Sequence, residues 1–175
     1  MEHINTRIGL SPDQFKNAFR RHPAGVAVIT ADDGSGPVAL TATSVISVSA
    51  EPPLLVFSLS GLSSSTPVIT ASRSVVVHLL DASRVDLAVL ASTKNVDRFA
   101  ESVGWHRLPT GEPVYDGVPN WIRGEIVDSM GAGGSTIVAV LALESGLDGT
   151  DESKSPLVYH DRTWHHIGEH SVLAG

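Results

Sequence analysis

Between Leu40 and Ser49 the chain reads Leu-Thr-Ala-Thr-Ser-Val-Ile-Ser-Val-Ser, small hydroxyl residues interleaved with apolar ones. Glu51-Pro52-Pro53 then turns the chain into a second apolar run, Leu54 to Ser60. Bulky side chains would fill the space above such a strand. Thr41, Ala42, Thr43 and Ser44 leave it open and offer hydroxyl and amide groups to a flat ligand with polar edges. On spacing alone the same pattern also serves an ordinary sheet with Ser and Thr on its wet face.

A second hydroxyl cluster, Ser60-Gly61-Leu62-Ser63-Ser64-Ser65-Thr66-Pro67, follows at once. Thr66 can cap a helix with Pro67 at its first position. Helix N-termini carry free N–H groups and partial positive charge, which suits an anion such as phosphate. A solvated loop that only caps a helix has the same composition. Lys94 and Arg98 are the next cations along the chain. Gly131-Ala132-Gly133-Gly134-Ser135-Thr136 lacks the Lys-Ser/Thr of a phosphate loop and does not complete G-x-G-x-x-G. His166-Ile167-Gly168-Glu169-His170 matches the H-x-x-E-H zinc pattern, but Gly168 opposes the helix that pattern needs, and we read it as chance.

The elements that must position these residues are mostly strands. Ser11-Pro12-Asp13-Gln14 predicts a helix start with a capping box, the helix ending before Pro23. Val26–Thr30 reads as a strand, and Asp32-Asp33-Gly34-Ser35-Gly36 as the turn of a hairpin to a strand over Val38–Ser49. Leu54–Leu59 and Val75–Leu80 read as buried strands. Pro67–Ser72, Arg84–Ala91 and Asn95–Ala100 read as short helices. Trp121–Asp128 and Thr136–Leu143 read as strands separated by the glycine run, and 148–155 as a polar loop. Many strands with a few short helices predict an antiparallel barrel forming one domain over 1–175.

The chain has 175 residues, no cysteine and a net charge of −7. That length buries a sizeable core without disulfides. Thiolate chemistry is excluded. The acidic balance and scattered cations argue against nucleic acid. No run approaches the roughly 18 apolar residues that span a bilayer. A cytoplasmic location is expected.

Thr41-Ala42-Thr43-Ser44-Val45-Ile46-Ser47-Val48-Ser49, followed by Pro52-Pro53-Leu54, resembles the flavin-binding strand of the flavin reductase-like, FMN-binding split-barrel family, T-A-x-S-x-x-S-V-S and P-P-L. The resemblance runs from Phe15 to Ile167. Phe15–Thr30 is similar to the family's opening helix and strand. Val75-Val76-Val77-His78-Leu79-Leu80 sits where the family's strand ends in Asn-x-Leu, with His78 replacing the Asn and expected to bond backbone. Asp97-Arg98-Phe99-Ala100 matches its D-R-F-A segment, and Pro156-Leu157-Val158-Tyr159-His160 its closing strand.

The resemblance implies a split barrel, mostly β with a few short helices, that binds FMN or FAD and takes hydride from NAD(P)H. It assigns the flavin to Thr41, Ala42, Thr43, Ser44 and Ser58, and the phosphate to Ser63, Ser64, Ser65 and Thr66. Lys94, Arg98 and Phe99 complete the expected binding set. Where the family reads G-D-H-T-I, this chain reads Gly133-Gly134-Ser135-Thr136-Ile137. Ser135 therefore stands for a histidine beside the flavin and nicotinamide, and His160 is the other candidate catalytic residue. The resemblance also implies a homodimer that passes reduced flavin to a partner monooxygenase. The alternatives are a non-catalytic flavin-binding or storage protein, and a same-fold flavoenzyme using a deazaflavin.

Overall fold

The computed structural model describes residues 9–146 and 154–174. Its first helix, α1 (Pro12–Arg20), starts as its sequence dictates. Ser11 Oγ accepts the Gln14 N–H at 3.2 Å, and Gln14 Oε1 accepts the Ser11 N–H at 2.9 Å. No residue of α1 is buried, and Phe15 and Phe19 pair along one side of it with ring centroids 4.8 Å apart. Arg20 ties the helix to Asp161 through an ion pair and a backbone bond.

The strands are β1 (Ala24–Gly25), β2 (Ala27–Ala31), β3 (Val38–Ala42), β4 (Ile46–Ala50), β5 (Pro53–Ser60), β6 (Ser74–Leu79), β7 (Trp105–Arg107), β8 (Pro113–Tyr115), β9 (Trp121–Ala132), β10 (Ser135–Ser145), β11 (Leu157–His160) and β12 (Thr163–His166). Two further helices are α2 (Thr66–Ala71) and α3 (Val85–Ser92). The main sheet runs β3-β2-β6-β9-β10-β5-β4, all antiparallel.

That order corrects one expectation. Val38–Ser49 is not one strand: it breaks at Thr43-Ser44-Val45, and its halves lie at opposite edges of the sheet. A flat sheet of this order would be about 29 Å wide, at roughly 4.8 Å per strand. The link from Ala42 to Ile46 reaches only about 14 Å when fully extended. The sheet must therefore curl until its edges meet, which makes it a barrel with a seam at Thr43–Val45. Gly124 lets the barrel wall bend, because a Cβ there would lie 2.4 Å from the Leu141 carbonyl oxygen beside an irregularity in the β9–β10 register.

The barrel interior holds Ile29, Phe57, Leu59, Val75, Val77, Val138 and Val140. A second core, with Val28, Leu80, Leu87, Tyr115 and Leu157, lies outside it, under α3. Strand β2 is buried throughout because both its faces are covered. A small sheet, β1-β11-β12, and the β7–β8 pair complete the fold. Asn95–Ala100 is not helical. It is a run of turns, with Asn95 at φ 58°. Most of the expected polar loop at 148–155 lies outside the described residues. No described helix is long and apolar enough to cross a membrane.

Candidate functional site

A cleft of about 610 Å³ opens at the barrel seam, within the range usual for cofactor sites. The end of β3 and the turn after it supply Thr41, Ala42, Thr43 and Ser44. Strand β5 adds Ser58 and Ser60, and the loop before α2 adds Ser63 and Ser64. Lys94, Asn95 and Arg98 enter from the turns after α3, and Ser135 from the start of β10. Residues far apart in sequence meet here because the seam joins the two sheet edges.

The hydroxyls divide into two groups. Some hold the walls. Thr41 Oγ1 donates to the Ala88 carbonyl at 2.6 Å, Ser65 Oγ to the Ala39 carbonyl at 2.9 Å, and Thr66 Oγ1 to the Ser60 carbonyl at 2.7 Å. Ser44 Oγ accepts the Ser58 N–H at 2.9 Å, and Ser63 Oγ the Ser65 N–H at 3.3 Å. Ser65 and Thr66 are buried and do not line the cleft. The cap of α2 is Ser65 rather than Thr66, and its side chain makes no capping bond. The second group faces the cleft: Thr43, Ser58, Ser64 and Ser135 make no side-chain hydrogen bond among the described residues and are exposed or half-buried. These four are free to meet a ligand.

The cations also divide. Lys94 is exposed and makes no ion pair among the described residues. Arg98 is committed to the protein. It donates to the Ala39 carbonyl at 3.1 Å, Ser65 Oγ at 3.2 Å and the Thr93 carbonyl at 2.7 Å, and its Nε is buried without a partner among the described residues. It knits β3, the serine loop and the turn after α3 into one wall. The cleft has these two cations and no carboxylate among its lining residues, in a chain of net charge −7.

Phe99 does not line this cleft. Its ring stacks on Tyr115 at 5.2 Å and meets Trp105 edge-on at 5.0 Å. Tyr115 in turn donates its hydroxyl to the Arg98 carbonyl at 2.8 Å, and its N–H to His78 Nε2 at 3.1 Å. The remaining nitrogen of His78, Nδ1, donates to the Val28 carbonyl at 3.0 Å. Desolvation in this fully buried position pushes the His78 pKa down to about 4, the Val28 bond opposing the shift and Arg84 adding to it. Phe99, Tyr115 and His78 thus set the height of the Lys94–Arg98 segment from beneath.

Ser135 follows the Gly133-Gly134 turn and pairs in register with Ser60. The Gly61 N–H donates to the Gly134 carbonyl at 2.9 Å, and a Cβ on Gly61 would lie 3.0 Å from that oxygen. Glycine at 61 lets the serine loop touch the β9–β10 hairpin. His160 is elsewhere. It ends β11 and lines a neighbouring pocket of about 580 Å³ with Phe15, Phe19 and Tyr159. The two spaces share Thr43 and Ser44 as a common wall. Asn95, which lines the cleft, was not singled out by sequence, since neither its type nor its spacing separates it from solvated turn residues.

A family profile described as flavin reductase like domain matches residues 19–168. The NADH:FMN oxidoreductase of Rhodococcus qingshengii is 42% identical over 154 residues, which cover 87% of this chain and 80% of that protein. The stachydrine N-demethylase reductase subunit of Rhizobium meliloti strain 1021 is 34% identical over 142 residues, covering 79% of this chain and 61% of that protein. The crystal structure of a flavin reductase domain protein from Arthrobacter sp. FB24 superposes with a TM-score of 0.81 at 33% identity, covering 89% of this chain and 95% of that one. The cleft, the barrel that builds it and these likenesses agree, and the chain belongs to the flavin reductase-like domain family.

Proposed function

We propose that this chain is an NAD(P)H-dependent flavin reductase, with the seam cleft as its flavin site. The observation that carries the reading is the donor set: four unengaged hydroxyls and two cations, with no carboxylate, in an otherwise acidic chain. A flavin needs hydrogen-bonding groups along the edge of its ring system and positive charge at its phosphate, and this cleft supplies both. Thr43, Ser58 and Ser135 orient the ring edge. Ser64 and Lys94 hold the phosphate, while Arg98 and Ser65 keep that wall in place. When bound, the flavin supplies the hydride-accepting chemistry.

Partners follow the same reading. The outer face of β4, β5, β10 and β9 carries Leu54, Val56, Ile137 and Leu141, flanked by exposed Ile46 and Met130. The helices α2 and α3 pack on β2 and β3 instead. This apolar face borders the cleft and suits a second copy of the chain. Similarity to a protein named as the reductase subunit of an N-demethylase supports a separate partner protein as the recipient of the reducing equivalents; in this reading that partner is a monooxygenase, and a cytoplasmic site of action supplies the nicotinamide.

The test is a visible spectrum of the purified protein with FMN, followed by anaerobic NADH or NADPH. Bound flavin that bleaches supports the reductase. Bound flavin that stays oxidised supports the storage protein, a reading favoured by the absence of a titratable side chain at Ser135. A protein without flavin affinity removes both.

A further inference from the structure

His166 and His170, the two ends of the H-x-x-E-H run, meet in the structure, though not on the helix that pattern calls for. His166 closes β12, and His170 lies in a short turn over Glu169–Ser171. Their ring centroids are 5.0 Å apart with the planes tilted by 66°, and both side chains are exposed. Neither ring makes a hydrogen bond or ion pair among the described residues. The turn that brings them together is held from within. The Ser171 N–H donates to the Gly168 carbonyl at 2.9 Å, the Gly168 N–H to Ser171 Oγ at 3.1 Å, and the Ile167 N–H to the Pro156 carbonyl at 3.3 Å. Gly168 matters for its size. A Cβ there would lie 3.2 Å from His170 Nδ1, so glycine lets that ring fold back over the turn.

Two imidazoles on backbone already held in place suit a divalent transition metal. A metal–nitrogen bond of about 2.0–2.1 Å puts each ring centre roughly 3.2 Å from the metal, and a tetrahedral angle then separates the two centres by about 5.2 Å. The His166–His170 pair matches that spacing, whereas the His160–His165 pair, at 5.7 Å, is wider. We propose that His166 and His170 form a two-histidine site for a divalent transition metal of the Cu²⁺, Ni²⁺ and Zn²⁺ class. No group of three or more His, Cys, Asp or Glu residues able to hold a metal gathers among the described residues, so the other coordination positions fall to water. The metal clamps the turn over Glu169–Ser171 onto the end of β12 and stabilises the folded chain by binding it. Neither histidine lines the seam cleft, so the site is independent of the flavin reading.

Calorimetric titration of the full chain with ZnCl₂ tests this, together with electron paramagnetic resonance of the chain loaded with one equivalent of Cu²⁺. The wild type should take up one Zn²⁺ ahead of any weaker uptake, show imidazole nitrogen couplings on bound Cu²⁺, and gain in Tm with Zn²⁺ but not with Mg²⁺, which prefers oxygen ligands. His166→Gln and His170→Gln should each weaken Zn²⁺ binding at least roughly tenfold, since loss of even an outer partner of a metal ligand costs about 10–100-fold. Gly168→Ala should weaken it severalfold by pushing the His170 ring aside. His165→Gln should leave it unchanged. All four positions are on the surface, and the Tm of each variant without metal checks that the fold is intact. Unchanged Zn²⁺ affinity in both the His166 and the His170 variants overturns the proposal, as does an equal loss in His165→Gln or a wild type that binds neither Zn²⁺ nor Cu²⁺.

Discussion

Ser44 Oγ receives the Ser58 N–H at 2.9 Å across the barrel seam, while Thr43 beside it makes no side-chain hydrogen bond among the described residues. Adjacent hydroxyls in one motif therefore have different duties. Ser44 joins the link between β3 and β4 to β5, and Thr43 faces the cleft.

The two substitutions to alanine should separate those duties. Ser44→Ala leaves a seam N–H without its partner and should cost about 1 kcal/mol of stability, lowering Tm by roughly 2–4 °C in a domain of this size. Thr43→Ala should leave Tm unchanged and weaken FMN binding severalfold. Thermal unfolding and fluorescence titration of both variants check this. The opposite pattern would mean that Thr43 holds the seam.

The phosphate end should dominate affinity. Charge-assisted bonds from Lys94 are stronger than the neutral ones along the ring edge. FMN should therefore bind at least roughly tenfold more tightly than riboflavin, and Lys94→Gln should remove most of that difference. Arg98→Lys should act differently, lowering Tm as well, because its bonds to Ala39, Ser65 and Thr93 hold the wall together. Equal affinities for FMN and riboflavin would reduce the serine loop to a structural turn.

Acid should loosen the layer beneath the site. Unfolded histidine takes up its proton near pH 6.5, whereas burial delays protonation of His78 to about pH 4. Between these values the unfolded chain binds the extra proton. The contribution of His78 is fully present above about pH 6.5 and is lost progressively as pH falls to about 4. A shift of this size corresponds to about 3 kcal/mol. Urea unfolding at pH 7, 5.5 and 4 should show the decline, and His78→Asn should flatten it. Glu112 adds a lower window. Burial raises its pKa, but bonds from Ser74, Thr110 and Arg123 outweigh that and hold it below the ordinary carboxylate value. Its contribution is lost only as pH falls below that ordinary value.

Local signals were legible in the sequence, and tertiary ones were not. The capping box of α1 depends on Ser11 and Gln14 alone, and the hairpin after β2 on Asp32 to Gly36. The break at Thr43–Val45 carries no glycine or proline, because sheet closure imposes it. Asn95–Ala100 has helical composition, but Arg98 reaching Ala39 and Phe99 stacking on Tyr115 hold it in turns. The hydroxyl motif marked the cleft. Which hydroxyls are free depended on partners such as Ala88 and Ala39, 47 and 26 residues away from Thr41 and Ser65.

Ser135 sets the last expectation. It opens β10 opposite Ser60, lines the cleft, and has a hydroxyl without a partner among the described residues. The resembling family has a histidine at this place. Serine can donate one hydrogen bond, but it cannot carry charge near neutral pH or stack on a nicotinamide ring. A larger side chain at this position would extend into the cleft that Ser135 lines. The native protein should therefore use NAD(P)H with a high KM, and Ser135→His should raise kcat/KM severalfold while leaving FMN affinity unchanged. Stopped-flow reduction of bound FMN across a range of NADH concentrations measures both. Saturation of the native protein at low-micromolar NADH, together with a slower Ser135→His variant, would show that other groups hold the nicotinamide and that serine is the better residue in this cleft.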